Sequence, residues 1–394
     1  MMNRHTTPML AGLVLLLTFV LSGVVYAEES IKIGLNLALS GERESSGLAT
    51  RAGADMVKDS INAAGGVSIG GKKYLIEYVY TDNKSKVQQA VDNVIKLITV
   101  EKVLAIIGPN DSSRAIPAGG ISQSFKTPML SPMSTNPTTT LDRPYVFRAC
   151  FLDPFQGQAM ANFATTEFKA QKAAVFFDIA DAYPRGLADF FKTAFIAKHG
   201  EGSIVAYEDF HSSETDYSAH MKRIVASGAD VLFVPQYDNQ IPEIVKQAKA
   251  AGWDKPILGG DAWETSTLME QCGDLCKGYF FTSHFAAIGA KGKSQEFVKA
   301  FKAKTGKLPT ADGALGYDAA SLMITAISGI SSLSDNLLTA RTAVKDSLAS
   351  VKGFQGVTGT LDMTAGGDPI KSGVVIRIND KGEFESYKIE NPEK

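Results

Sequence analysis

Residues 103–118 read VLAIIGPNDSSRAIPA, and residues 127–137 read TPMLSPMSTNP. Each stretch starts as a short apolar run suited to a buried parallel strand, then breaks into Gly, Pro, Asn, Ser and Thr. In an open α/β sheet, ligands bind in the crevice beyond the carboxyl ends of strands. Two hydroxyl-rich loops placed there form a cradle of neutral donors for a small carboxylate. They point to holding a small molecule rather than transforming one. Ser112 and Ser113 stand at a predicted helix start, where hydroxyls, backbone N–H groups and the helix N-terminus favour an anion. Simple N-capping would use the same residues. Asp111, just before them, would repel a carboxylate.

Outward from these loops the chain alternates strand and helix. IKIGLNL at 31–37 reads as a strand, GERESSG at 41–47 as a polar turn, and 49–64 as a helix closed by Gly65-Gly66. YLIEYVY at 74–80 is the next strand, and a helix capped by Asp82 or Asn83 precedes strand 103–107. The pattern restarts after Arg148, with helices 154–169, 184–199, 214–227 and 239–251 and strands 172–177, 203–207, 230–234 and 256–258. Two such βα series predict two doubly wound, mostly parallel sheets. The tail differs: helices at 293–304, 312–331 and from about Leu338, then short strands at 357–361 and 373–378 and an alternating edge strand, FESYKIE. No Pro/Ser/Gly-rich linker separates the two units.

The N-terminus carries Arg4, an apolar run over Met9–Val20 and a small-x-small site at Val25-Tyr26-Ala27. This predicts an export signal over 1–27, a mature start at Glu28 and a periplasmic destination. The apolar run is short for a membrane span and is interrupted by Ser22 and Gly23. The chain beyond the signal is longer than one core usually supports, so two domains are expected. The formal net charge of −2, without a Lys/Arg block, gives no footprint for nucleic acid. Cys272 and Cys276, with Gly273 between them, suit a small disulfide loop in an oxidising compartment. No second Cys pair or His cluster completes a zinc site, and a redox dithiol would more usually have two intervening residues. Cys150 reads as a buried free thiol.

Several segments, taken in order, carry a resemblance. IKIGLNLALSG (31–41), INAAGGV (61–67), IEYVYTDNKS (76–85), AIIGPNDSS (105–113), PMLSPMSTNP (128–137), DYSAHMKRIVASGADVLFV (216–234) and GALGYDAASLM (313–323) resemble the periplasmic substrate-binding proteins of branched-chain amino acid ABC transporters. That family has the type I periplasmic binding fold, and the likeness covers nearly the whole chain after the signal. It implies two Rossmann-like lobes joined by three crossings, with ligand in the cleft between them. Mapped here, lobe one would comprise 28–149 plus 284–354 and lobe two 150–283 plus 355–394. The crossings would fall near Arg148–Phe151, Ser283–Phe285 and Gln355–Thr360. The ligand would be a small amino acid, branched-chain-like or related, delivered to a membrane permease driven by ATPase subunits. A periplasmic sensor, or a transporter-binding protein for amides, short carboxylates or aromatic acids, is the alternative.

The resemblance also assigns roles. Met133 through its backbone and Thr135 through hydroxyl and N–H would hold the ligand's α-carbon groups, with Ser134 between them. Tyr183 and Tyr237 would close over the ligand from the second lobe, and Asp261 would hold the α-ammonium by a charge-assisted hydrogen bond. The Ser and Asn content of the 133–137 loop would equally suit a plain turn, and Asp261 an Asx turn. Glu42, Arg43 and Glu44 depart from the neutral loop usual in the family; they read either as a solvated face or as contacts to a polar substrate side chain.

Catalytic signatures are not found. There is no HExxH motif, no GxxxxGK[ST] loop and no G-x-G-x-x-G element. The expectation is therefore a binding protein that uses no cofactor, no metal and no nucleotide of its own.

Overall fold

The computed structural model describes residues 1–2 and 29–392. The apolar core of the predicted export signal and its cleavage point lie outside the described residues. Among those residues, no helix is long and apolar enough to cross a membrane.

The first sheet has six strands, in spatial order Val67–Ile69, Lys72–Asp82, Ser30–Leu37, Ala105–Ile107, Met129–Ser131 and Val146–Arg148. All neighbours are parallel except the first pair, a hairpin. The second sheet runs Phe384–Glu390, Gly373–Ile378, Phe280–Ser283, Ile257–Gly259, Val231–Val234, Ala173–Asp178 and Ile204–Phe210. Its five-strand core is parallel, with two antiparallel strands added at one edge. The runs AII at 105–107 and AAVFFD at 173–178 are buried along their whole length, as strands covered by helices on both faces require.

The two parallel cores share one winding. In each, the first strand lies between the second and the third, so the order reverses once. The switch points fall between Ser30–Leu37 and Ala105–Ile107 in one sheet, and between Ala173–Asp178 and Val231–Val234 in the other. Crevices at such points are where open α/β sheets hold ligands. This is the predicted two-lobe α/β architecture.

The helix Glu44–Ala63 packs on the helix Ala311–Ser328 with backbones nearly touching. A Cβ placed on Gly53 would lie 2.0 Å from the Gly313 carbonyl oxygen. Only glycine permits that approach, and it seats the first turn of the second helix against the middle of the first. The helix at 44 begins five residues before the predicted start at Ala49, because the polar residues Glu44-Ser45-Ser46 already wind as its first turn. Residues 67–69 form a strand that the sequence pattern does not announce.

The predicted division of the tail needs correction. Phe354–Gly356, Gly359–Met363 and Pro369–Ile370 form a small separate sheet, and Leu361 and Met363 join the first lobe's core with Ile33, Leu315 and Leu348. The segment 355–394 is therefore not all in lobe two. The chain returns to the second sheet at Gly373, and the last passage lies at about 370–373 rather than at Gln355–Thr360. Strands of two to five residues bury too few side chains for sequence to show which sheet they pack on.

Cys272 and Cys276 form a disulfide, with Cα atoms 5.7 Å apart, inside the second lobe's core. Cys150 is a buried free thiol whose pKa burial pushes up to about 12.

Candidate functional site

Loops from both switch points converge on one small, nearly closed cavity of about 20 Å³. Arg43 and Ser46 follow strand Ser30–Leu37; Asn110, Asp111 and Ser112 follow Ala105–Ile107; Met133 follows Met129–Ser131; Asp312 sits in the first turn of its helix. The opposite wall comes from the second lobe. Tyr183 follows Ala173–Asp178, Tyr237 follows Val231–Val234, and Asp261 and Ala262 follow Ile257–Gly259.

On the second-lobe wall, Tyr183 Oη donates to Asp261 Oδ1 at 2.8 Å, and His284 Nε2 lies 3.0 Å from Asp261 Oδ2. Burial lowers the His284 pKa against the opposing pull of Asp261, so the ring is held neutral and donates from Nε2. The Tyr183 ring lies 5.3 Å from that of Tyr237. Gly260 makes this approach possible, since a Cβ there would lie 2.4 Å from Tyr183 Oη. A carboxylate has about four lone-pair sites, so Asp261 keeps acceptor capacity toward the cavity.

The first-lobe wall is built on charge. Arg43 Nε donates to Asp111 Oδ1 at 3.2 Å, its Nη1 bonds Asp238 of the other lobe, and its guanidinium stacks 4.4 Å from the Tyr237 ring centre. Arg114 Nη1 donates to Asp111 Oδ2 at 2.8 Å. Burial opposes ionisation of Asp111, but Arg114 and Arg43 overcome it and hold the carboxyl below its usual range. Asp111 is thus a structural partner for two arginines. Asp312 has no such pair; burial pushes its pKa up to about 7, with Arg43 and Ser46 only partly opposing.

Behind the cavity, burial raises Asp153 to about 7 and Glu264 to about 8. Glu264 accepts a hydrogen bond from the backbone N–H of Ala311 at 3.0 Å, tying the second lobe to the start of a first-lobe helix. Ser45 Oγ and Ser266 Oγ, 3.0 Å apart, and Asn136 Nδ2 with the Ala182 carbonyl, also 3.0 Å, bridge the cleft elsewhere.

Five of the eight sequence-predicted contact residues line this cavity: Ser112, Met133, Tyr183, Tyr237 and Asp261. The other three do not. Ser113 lines an outer groove with Ile116 and Arg185. Ser134 is internal scaffolding: its hydroxyl donates to Ser112 Oγ at 3.0 Å and its carbonyl accepts from Arg148. Thr135 is fully buried, and its Oγ1 has no hydrogen-bond partner among the described residues. In the charged loop, only Arg43 turns inward; Glu42 and Glu44 line a larger open groove at the rim.

Ser46, Asn110 and Asp312 also line the cavity, and sequence reasoning did not single them out. A signal existed for Asp312: it stands in ADGALGYDAASLMITAIS, a helix buried around most of its circumference, where a carboxylate needs a partner or a ligand. Ser46 and Asn110 look like ordinary turn residues.

A family model described as "Periplasmic binding protein" matches residues 30–383. The chain belongs to the periplasmic binding protein family. Among curated relatives of this periplasmic binding protein, an amino acid binding protein of Pseudomonas aeruginosa is 31% identical over 63% of this chain and 65% of its own length. The Leu/Ile/Val-binding protein of Escherichia coli is 27% identical over 77% of this chain and 79% of its own. Among solved structures, the leucine binding protein LivK of Thermotoga maritima has a TM-score of 0.83 at 31% identity, covering 92% of this chain and 99% of that one. LivJ of Streptococcus pneumoniae, solved in complex with isoleucine, has a TM-score of 0.83 at 32% identity, covering 92% and 100%.

Proposed function

We propose that this protein is the extracytoplasmic solute-binding component of an ABC importer. It holds a small α-amino acid between its lobes and delivers it to a membrane permease. The export signal predicted from the sequence over 1–27 supports a periplasmic location. The observation that carries this reading is the convergence of Ser112 and Met133 from one lobe with Tyr183, Tyr237 and Asp261 from the other around one small cavity. The Ser112 hydroxyl and the N-terminus of helix Ser112–Ser124 suit an α-carboxylate. Asp261 suits an α-ammonium, and the two tyrosines supply ring area that excludes water. The Leu/Ile/Val-binding relatives support the amino-acid class.

The test is a thermal-shift panel on protein stripped of ligand by unfolding and refolding. A ligand bound only by the folded form raises stability as RT ln(1 + [L]/Kd). A concentration-dependent rise with at least one α-amino acid is expected. No rise with any common amino acid, or a rise only with carboxylates that lack an amine, would overturn the amino-acid reading.

A further inference from the structure

Resting on that amino-acid reading, we propose that the first-lobe wall selects a ligand whose side chain ends in N–H donors, an amide or a primary ammonium, over a branched aliphatic one. The wall consists of Arg43, Ser46, Asn110, Asp111 and Asp312.

Its hydrogen bonding is fixed in one direction. Asn110 Nδ2 lies 2.7 Å from Thr50 Oγ1, 3.1 Å from Ser46 Oγ and 3.3 Å from Asp312 Oδ1. Thr50 Oγ1 donates to the Ser46 carbonyl at 3.0 Å, and Ser46 Oγ donates to Asp312, so both hydroxyls are committed as acceptors toward Asn110. Turning the amide over would set its carbonyl oxygen against the Asp312 carboxylate. Asn110 Oδ1 is therefore the atom left over. It is buried and has no hydrogen-bond partner among the described residues. Asn110 and Asp312, a second acceptor-bearing side chain, both line the cavity.

The donors that could have answered them are used elsewhere. Arg43 is committed to Asp111 and Asp238. Among the side chains lining the cavity, Asp111 is paired with Arg43 and Arg114, while Asp261 and Asp312 have no arginine or lysine ion pair among the described residues; beyond the two tyrosine rings only Met133 and Ala262 are apolar. An aliphatic side chain would cover Asn110 Oδ1 and Asp312 without pairing them, a penalty of roughly 10- to 100-fold in affinity per orphaned group. A site built to hydrogen-bond a substrate group rejects the analogue lacking it far better than an apolar pocket rejects one methylene. An anionic side chain would meet the Asp312 carboxyl and is disfavoured as well.

The experiment is isothermal titration of the stripped full-length mature protein with L-asparagine, L-glutamine, L-ornithine, L-lysine, L-leucine, L-isoleucine and L-aspartate. At least one donor-bearing amino acid is expected to bind tenfold or more tightly than L-leucine and L-isoleucine, with L-aspartate weaker still. Asp312→Asn, nearly isosteric, is expected to weaken the best donor ligand 10- to 100-fold while leaving L-leucine unchanged or tighter. Asn110→Leu is expected to act in the same direction, and Asp312→Asn keeps the test intact should that variant fold poorly. L-Leucine or L-isoleucine binding as tightly as any donor ligand would overturn the inference while the amino-acid reading stands. Binding of none of the seven would overturn this inference, whereas the amino-acid reading falls only if the full thermal-shift panel also shows no rise with any common amino acid.

Discussion

The contact between Arg43 and Asp238 crosses from one lobe to the other with both side chains 5% exposed. Replacing Asp238 by Asn keeps the shape but removes the charge and one acceptor: with the amide oxygen toward Arg43, its NH2 replaces the oxygen to which the Thr265 and Thr267 hydroxyls donate at 2.7 and 2.9 Å, and those hydroxyls must rotate to accept. A hydrogen bond to a charged group contributes ~1.5–3 kcal/mol and a neutral one ~1. Arg43 would also be left sharing Asp111 with Arg114. Stranding a buried charge can cost ~3–5 kcal/mol when the site stays shut, but opening the cleft lets water reach Arg43 and caps the loss. The closed form should therefore lose about 2 kcal/mol relative to the open one, which is roughly 30-fold in apparent affinity. Isothermal titration with the tightest-binding amino acid measures this, and small-angle scattering reports the compaction that ligand produces. Arg43→Met in the Asp238→Asn background should add less than it does alone, because the cross-lobe part is already gone. A dissociation constant within threefold of wild type, with unchanged compaction, would refute the view that this pair stabilises closure.

Other outcomes rest on the same geometry. Asp261→Asn should weaken an amine-bearing ligand by roughly 10- to 100-fold, the worth of a charge-assisted bond; unchanged titration removes Asp261 from the site. Glu264 has its folded pKa raised to about 8, so the folded form holds a proton that the unfolded chain releases above about pH 4. Its contribution therefore declines as pH rises from about 4 to 8. Glu264→Gln mimics the protonated acid and should gain roughly 2 kcal/mol on wild type by pH 8, a Tm advantage of about 3 °C that fades toward pH 5; calorimetry showing a pH-independent difference contradicts this. Removing the disulfide by Cys272→Ser with Cys276→Ser should cost about 2 kcal/mol for so short a loop, read as a lower denaturant midpoint.

The architecture was legible because strand and helix periods differ and because apolar runs such as AAVFFD leave only a buried strand as a reading. The switch-point loops were legible too, since Ser112 and Tyr237 come directly after such runs. What stayed hidden depends on distant packing. Arg43 sits between two glutamates, and nothing local distinguishes the inward residue from its outward neighbours. Its direction is set by Asp111 and Asp238, 68 and 195 residues away. Ser134 and Thr135 lie in the expected loop, but one residue of backbone rotation separates Met133, which faces the cavity, from Ser134, which braces Arg148. The strands at 354–370 failed for a different reason: they pair only with one another, and the core they pack on includes Ile33 and Leu315, far earlier in the chain, which short alternation does not encode.

The backbone contact at Gly53 sets a rule for redesign. The loops carrying Arg43, Asn110 and Tyr237 hang from the ends of strands and can be rewritten as cassettes. Asp312 instead rides on a helix whose seat is fixed by a glycine with no room for a methyl group. A library aimed at a new analyte should randomise the loops and leave that helix untouched. A biosensor made from this chassis would then inherit an acidic anchor of fixed position.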